Sequence, residues 1–131
     1  MSAGLIDTSV VVDWDDPHVI EGLPDEVAVC TITMAELAAG PHLATDPRER
    51  ARRQARLQQA ESAFDPIDFD RAAARSYGQL VSAVALSERS HRRRVADLLI
   101  AAVAHSRGLD LYTRNAGDLE GLDDLISVVG V

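Results

Sequence analysis

Lysine is missing altogether from this chain of 131 residues; its thirteen basic side chains are all arginine. That disfavours a receiver-type phosphoacceptor, whose strand-end aspartate beside Mg²⁺ normally works with a lysine. The eight glycines form neither a phosphate loop nor a dinucleotide fingerprint. Cysteine is nearly absent. The lone Cys30 cannot form an intrachain disulfide, and within Val27-Ala28-Val29-Cys30-Thr31-Ile32 it reads as a small core filler. Aromatic residues are only 4% of the chain, too few for base stacking to be the main way of holding a nucleic acid. The longest apolar run, around Val95 to Ala104, is too short for a bilayer and is interrupted by Asp97, so no membrane association is expected. No positively charged leader precedes an apolar segment near Met1, which makes the cytoplasm the expected compartment. His18, His42, His91 and His105 lack zinc-protease spacing.

What is present suffices for one domain spanning residues 1–131, with a core that needs neither disulfide nor structural metal. The net charge of −8 argues at first against a nucleic-acid partner, since phosphate-binding surfaces are usually basic. The distribution of that charge argues otherwise. Nine of the arginines fall in two runs, Arg48 to Arg56 and Arg89 to Arg94. With those nine and Glu49 set aside, four Arg face twenty acids, a net of −16 that would repel RNA unless cations screened it. The first run reads as a solvated helix face, because Glu49 stands at helical pair spacing from Arg52 and Arg53. The second reads as a basic loop leading directly into the Asp97 segment.

Gly4-Leu5-Ile6-Asp7-Thr8-Ser9 reads as a buried central strand that delivers Asp7 to the carboxyl edge of a sheet, where parallel α/β sheets bind ligands. Thr8-Ser9 then offers caps for a helix through Val10 to Trp14, and Pro17 opens a short helix to about Gly22. Val27 to Ile32, dense in β-branched residues, is the second expected strand, followed by a helix from Thr33 that fades near Gly40-Pro41. Asp46-Pro47 starts a long polar helix to about Ser62 with Leu57 and Ala60 inward, and Pro66-Ile67-Asp68 reads as a third strand. Helical periodicity runs from Asp70 to about Leu86. Val95 to Ser106 is apolar nearly all round and stops at Gly108, which predicts a central, largely buried helix. Leu109 to Thr113 and Ile126 to Val129 are the remaining strands, with at most a short helix between Asn115 and Leu125. Strands alternating with helices predict an α/β, three-layer sandwich around a mainly parallel sheet of about five strands.

Four isolated acids fall where such a sheet would carry them to one edge: Asp7, Glu36, Asp97 and Asp118. Each alone has an ordinary structural account. Asp97 sits in a first helical turn and favours the helix dipole, Thr33-Met34-Ala35-Glu36 fits a capping box, Asp7 is a strand-end turn former, and Asp118 is a loop residue. Yet Asp97 is the only charged side chain between Val95 and Ala104, and a buried carboxylate without a partner is expensive. Taken together, four converging carboxylates make a hard-oxygen site suited to Mg²⁺ or Mn²⁺. A divalent ion would also let a phosphate approach an acidic pocket.

Leu5-Ile6-Asp7-Thr8-Ser9, the Glu36 helix after a strand, Ala96-Asp97-Leu98-Leu99-Ile100-Ala101-Ala102 and Thr113-Arg114-Asn115-Ala116-Gly117-Asp118-Leu119 resemble the successive motifs of PIN-domain ribonucleases. In length and compactness the chain resembles the VapC-type toxins of bacterial toxin–antitoxin modules, and the likeness covers essentially all of it. The resemblance implies a single PIN-like domain and a Mg²⁺-dependent endoribonuclease that hydrolyses RNA phosphodiesters. It implies Asp7 and Asp97 as primary metal ligands, Glu36 and Asp118 completing the catalytic acidic cluster, and Thr8, Ser9 and Asn115 as water-holding or supporting groups. A homodimer and a cognate protein antitoxin follow from the same likeness. Leu119 departs from the phenylalanine that the family often carries there, which bears on packing more than chemistry. Arg92, Arg93, Arg94 and Arg114 are candidates for RNA phosphates, because guanidinium forks match phosphate geometry.

Two rivals stand beside this reading. A phosphohydrolase with Asp7 as covalent nucleophile would usually carry a second Asp two residues on, where this chain has Ser9. A non-catalytic binding module of the same fold would keep the partner and lose turnover. His105, about two turns beyond Asp97, reads as a helix-end residue at the negative pole of the dipole.

Overall fold

Leu5 and Ile6 are neighbours in one strand and both are wholly buried, so that strand must be covered on both faces. In the computed structural model, which describes residues 2–86 and 94–131, Leu5 packs with Leu80, Leu98 and Ile100, while Ile6 packs with Val10, Leu37 and Ala60. Helices therefore lie on either side of a sheet, the three-layer arrangement that the alternating pattern predicts. The strands are β1 (Ala3–Ile6), β2 (Glu26–Ala28), β3 (Asp110–Thr113) and β4 (Val128–Gly130), all parallel, in the order β2-β1-β3-β4. The helices are α1 (Thr8–Val12), α2 (Pro17–Glu21), α3 (Thr31–Leu43), α4 (Pro47–Ala63), α5 (Arg71–Leu86) and α6 (Val95–Arg107), with a short 3-10 helix at Ala116–Leu119. Because the chain leaves β1 towards β2 on one side and returns to β3 on the other, the sheet has its topological switch between β1 and β3. Asp7 follows β1 at that point, where open α/β sheets form their ligand crevice.

The sheet has four strands where the sequence pattern predicts about five. The segment expected as a third strand makes only an isolated parallel bridge, Ile67 to Cys30, held by Thr31 N to Ile67 O and Ile67 N to Val29 O at 2.9 Å each. The next donor on that side, Phe69 N, goes to the Thr31 hydroxyl at 3.1 Å because Thr31 has already entered α3, so the ladder does not lengthen. The second strand is also shorter than expected, since Cys30 already caps α3 and Thr31 begins it. Cys30 itself is fully buried, the core filler its surroundings suggest. At the other end α3 runs through Pro41 to Leu43 instead of fading at Gly40. Arg53 Nη1 donates to the Gly40 carbonyl at 2.9 Å and Arg50 Nη2 to the Ala44 carbonyl at 3.3 Å, so α4 supplies donors that the end of α3 lacks.

Several local signals behave as their chemistry predicts. Asp46 caps α4 through Arg48 N at 3.1 Å with Pro47 in the first turn, and Glu49 pairs with Arg52 and Arg53 at 2.5 and 3.0 Å. Leu98 and Ile100 to Ala104 of α6 are fully buried, and Gly108 ends it in the left-handed region at φ 66°. Gly4 serves a different need: a Cβ there would stand 2.4 Å from the Tyr112 ring, which lies against β1. Among the described residues no helix is long and apolar enough to cross a membrane.

Candidate active site

β1 pairs with β3 from Gly4 to Ile6, and Asp7 N extends the ladder by donating to Tyr112 O at 3.1 Å. The next turn is helical because Asp7, not Thr8 or Ser9, caps α1: its Oδ1 accepts from Val10 N at 3.2 Å. The same oxygen accepts from Ser9 Oγ at 2.5 Å. Ser9 in turn accepts from Arg114 N at 3.0 Å and lies 3.4 Å from Thr113 Oγ1, which takes Asn115 N at 3.0 Å. The ends of β1 and β3 are thus stitched together by hydroxyls around Asp7, itself only 5% exposed. Among the described residues no hydrogen bond falls on Asp7 Oδ2, which leaves one oxygen of a held carboxylate open.

Glu36 reaches the same edge from α3. The capping-box alternative fails, because the helix begins at Thr31 and Glu36 lies in its second turn. Its Oε1 instead accepts from Thr8 Oγ1 at 2.5 Å, and Thr8 Oγ1 stands 3.2 Å from Thr33 Oγ1, which is fully buried. Asp97 is the third residue of α6 and half-buried. Burial raises its carboxyl above the ordinary 3.8, and the charges of Asp7, Glu36 and Asp118 raise it further, with Arg94 opposing. Asp118 comes from the exposed 3-10 helix after β3. All four acids therefore share one electrostatic neighbourhood, centred on Asp97.

Among the described residues no three acids, histidines or cysteines are already closed into a metal-ligating group. Like charges with one opposing guanidinium have no reason to close on themselves, and Glu36 leans on Thr8 meanwhile. The donor set fits a hard cation such as Mg²⁺ or Mn²⁺: carboxylate oxygens only, one of them held with a free lone pair, and repulsion that a divalent ion would relieve.

The arginines are placed less simply. Arg92 and Arg93 lie outside the described residues. Arg94 Nη1 donates to the Asp118 carbonyl, and its Nη2 is buried with no hydrogen-bond partner among the described residues. Arg114 is engaged by Asp13 at 3.1 Å and Asp16 at 3.6 Å. His105 Nδ1 is 2.7 Å from Ser76 Oγ on α5, a helix-end contact away from the acids. Sequence reasoning does not single out Thr33 or Thr113. Thr113 ends β3 as Asp7 follows β1, and that equivalence is the signal that marks it.

A PIN domain profile matches residues 4–123. The chain belongs to the PIN-domain family. Among curated members it is 38% identical to ribonuclease VapC5 of Mycobacterium tuberculosis over 130 residues, 97% of this chain and 93% of that one. The crystal structure of VapBC-5, a toxin–antitoxin system of the same organism, superposes with a TM-score of 0.83 at 32% identity over 100% of both chains. The FitAcB structure from Neisseria gonorrhoeae superposes with a TM-score of 0.77 at 27% identity over 96% of each chain. The Asp7 strand end and the Asp97 helix both fall inside the span that matches the PIN profile.

Proposed function

We propose that this PIN domain is an endoribonuclease that hydrolyses RNA phosphodiesters, and that it is the toxin of a type II toxin–antitoxin pair in the cytoplasm. The observation that carries the proposal is the half-buried Asp97, whose carboxyl is raised by burial and by Asp7, Glu36 and Asp118 together at the switch point of the sheet. Likeness to a ribonuclease and to toxin–antitoxin structures over nearly the whole chain supports it. Asp7, Glu36, Asp97 and Asp118 are the residues that would hold Mg²⁺, or Mn²⁺ in its place. A divalent ion there supplies Lewis-acid polarisation of a phosphoryl oxygen and a water of lowered pKa.

The chain's own residues do the positioning. Ser9 and Val10 N fix Asp7 through Oδ1 and leave Oδ2 without a hydrogen bond among the described residues, and Thr8 holds Glu36. Asn115 is a candidate to orient water beside Asp118. Glu36 or Asp118 takes the proton of the attacking water through a bridging water. Arg94, tied through Nη1 to the Asp118 carbonyl, brings a positive charge beside the acids. The partners are RNA, a cognate antitoxin covering the acidic cleft, and a second copy of the chain.

The test is cleavage of total RNA by purified protein with Mg²⁺, Mn²⁺ or EDTA, beside Asp97→Asn. Discrete metal-dependent cuts that the variant lacks are expected. Absence of cutting together with no Mn²⁺ uptake by calorimetry would leave a non-catalytic binding module.

A further inference from the structure

Arg56 projects from α4 between two cavities. One, of about 270 Å³, is lined by Thr8 and Glu36 from the acidic edge together with Arg53, Arg56 and Glu49. The other, of about 90 Å³, is apolar and lined by Val11, Trp14, Ala60 and Phe64 with Arg56 at its border. The charges in the first cavity are mostly spent. Glu49 is paired with Arg52 and Arg53, Arg53 also serves the Gly40 carbonyl, and Glu36 accepts from Thr8. Arg56 is half-buried, yet no carboxylate, carbonyl or hydroxyl bonds its guanidinium among the described residues. It is the uncommitted cation of a cavity that opens onto the proposed cleavage site. On its other side, Trp14 is 40% exposed and held edge-on to Phe64, with ring centroids 6.2 Å apart at 84°.

A half-buried, unpaired guanidinium lacks an anion, and a flat exposed aromatic beside it suits a nucleobase. We infer that Arg56 and Trp14 form a subsite for the nucleotide flanking the cut, with Arg56 on its phosphate and Trp14 against its base. This rests on the ribonuclease reading and deepens it: the metal-site acids cut, and the α1–α4 groove selects which strand position lies over them. A carboxylate of a protein partner would satisfy the same guanidinium. RNA is favoured because the first cavity shares Thr8 and Glu36 with the acidic edge, so a strand threaded over the acids runs into Arg56.

The sole tryptophan of the chain reports occupancy directly. A single-stranded RNA oligonucleotide titrated into the protein in EDTA at low salt is expected to quench Trp14 emission. Arg56→Gln, which keeps the stem packed between the cavities, is expected to weaken that binding about tenfold, and Arg56→Lys to restore most of it. The slope of log K against log salt should fall by about 0.7 in Arg56→Gln, one phosphate contact on a single strand. With Mg²⁺ and a cleavable oligonucleotide, Arg56→Gln should raise KM about tenfold and change kcat less than twofold.

Unchanged binding, salt slope and KM in a folded Arg56→Gln protein would overturn the subsite. So would an RNA affinity that is unaltered while the complex with the co-expressed antitoxin weakens, which would assign the groove to protein. Quenching that depends on Arg56 without cleavage under any metal would keep the subsite and sink the nuclease, so the two failures are distinguishable.

Discussion

Asp97 is pulled in two directions by its position. As the third residue of α6 it interacts favourably with the helix N-terminus, worth about 0.3 to 1 kcal/mol. Burial and three like charges act the other way and win, because the net effect raises its carboxyl above 3.8. The folded state therefore holds the Asp97 proton more tightly than the unfolded chain does. Between 3.8 and the raised folded value, stability falls as pH rises, and the penalty is complete above the folded value. In EDTA, Asp97→Asn should melt above wild type at pH 7 and no higher than wild type once the pH is below 3.8, by calorimetry. Thr8→Val makes the complementary case. It removes the donor that holds Glu36 while keeping the volume, so kcat is expected to fall about tenfold with Tm little changed, and Thr8→Ser should recover most of it. Asp7, Glu36 and Asp97 were legible in the sequence because each interrupts an apolar setting, whereas Asp118, in a polar loop, was marked by its place in the motif series. Thr8 and Ser9 were marked as supporting groups by the family resemblance alone, and their partners Thr33 and Thr113 were not marked: those contacts exist only after β1, β3 and α3 have been assembled. For the same reason nothing local marks Arg114 as the partner of Asp13 and Asp16.

At the scale of elements, boundaries written in short-range chemistry were legible and those written by a neighbour were not. Asp46-Pro47 starts α4 and Gly108 ends α6, each through groups within a few residues. Gly108→Ala should cost about 1 to 2 kcal/mol in urea unfolding, since an L side chain resists the left-handed region. The start of α3 has no side-chain cap and depends on the Cys30–Ile67 bridge, which no local pattern encodes. Its end passes Pro41 because Arg53 arrives from α4 to satisfy the Gly40 carbonyl. Arg53→Met, which keeps the stem and removes the donor, should destabilise by about 1 kcal/mol and show first as faster amide exchange in the last turn of α3. The expected strand around Ile67 shrinks to one bridge for a similar reason: its neighbour turns into α3 at Thr31, whose hydroxyl takes Phe69 N.

For the whole molecule, an acidic chain with a repelling cluster should be more stable when a divalent ion sits in the cluster. Mn²⁺ at a hundred times its Kd is expected to add about 2.7 kcal/mol, seen as a rise in Tm that EDTA reverses and that Asp7→Asn lacks. The register of the sheet has a consequence of another kind. β1 is made well before its partner β3, which pairs Asp110 with Gly4 across a separation on the order of a hundred residues. Asp7 and Asp118 cannot face each other until nearly all of the chain between them has left the ribosome. A nascent chain that has not yet released β3 and the Asp118 turn thus lacks a complete acidic edge, and RNA meets that edge only after both have been made.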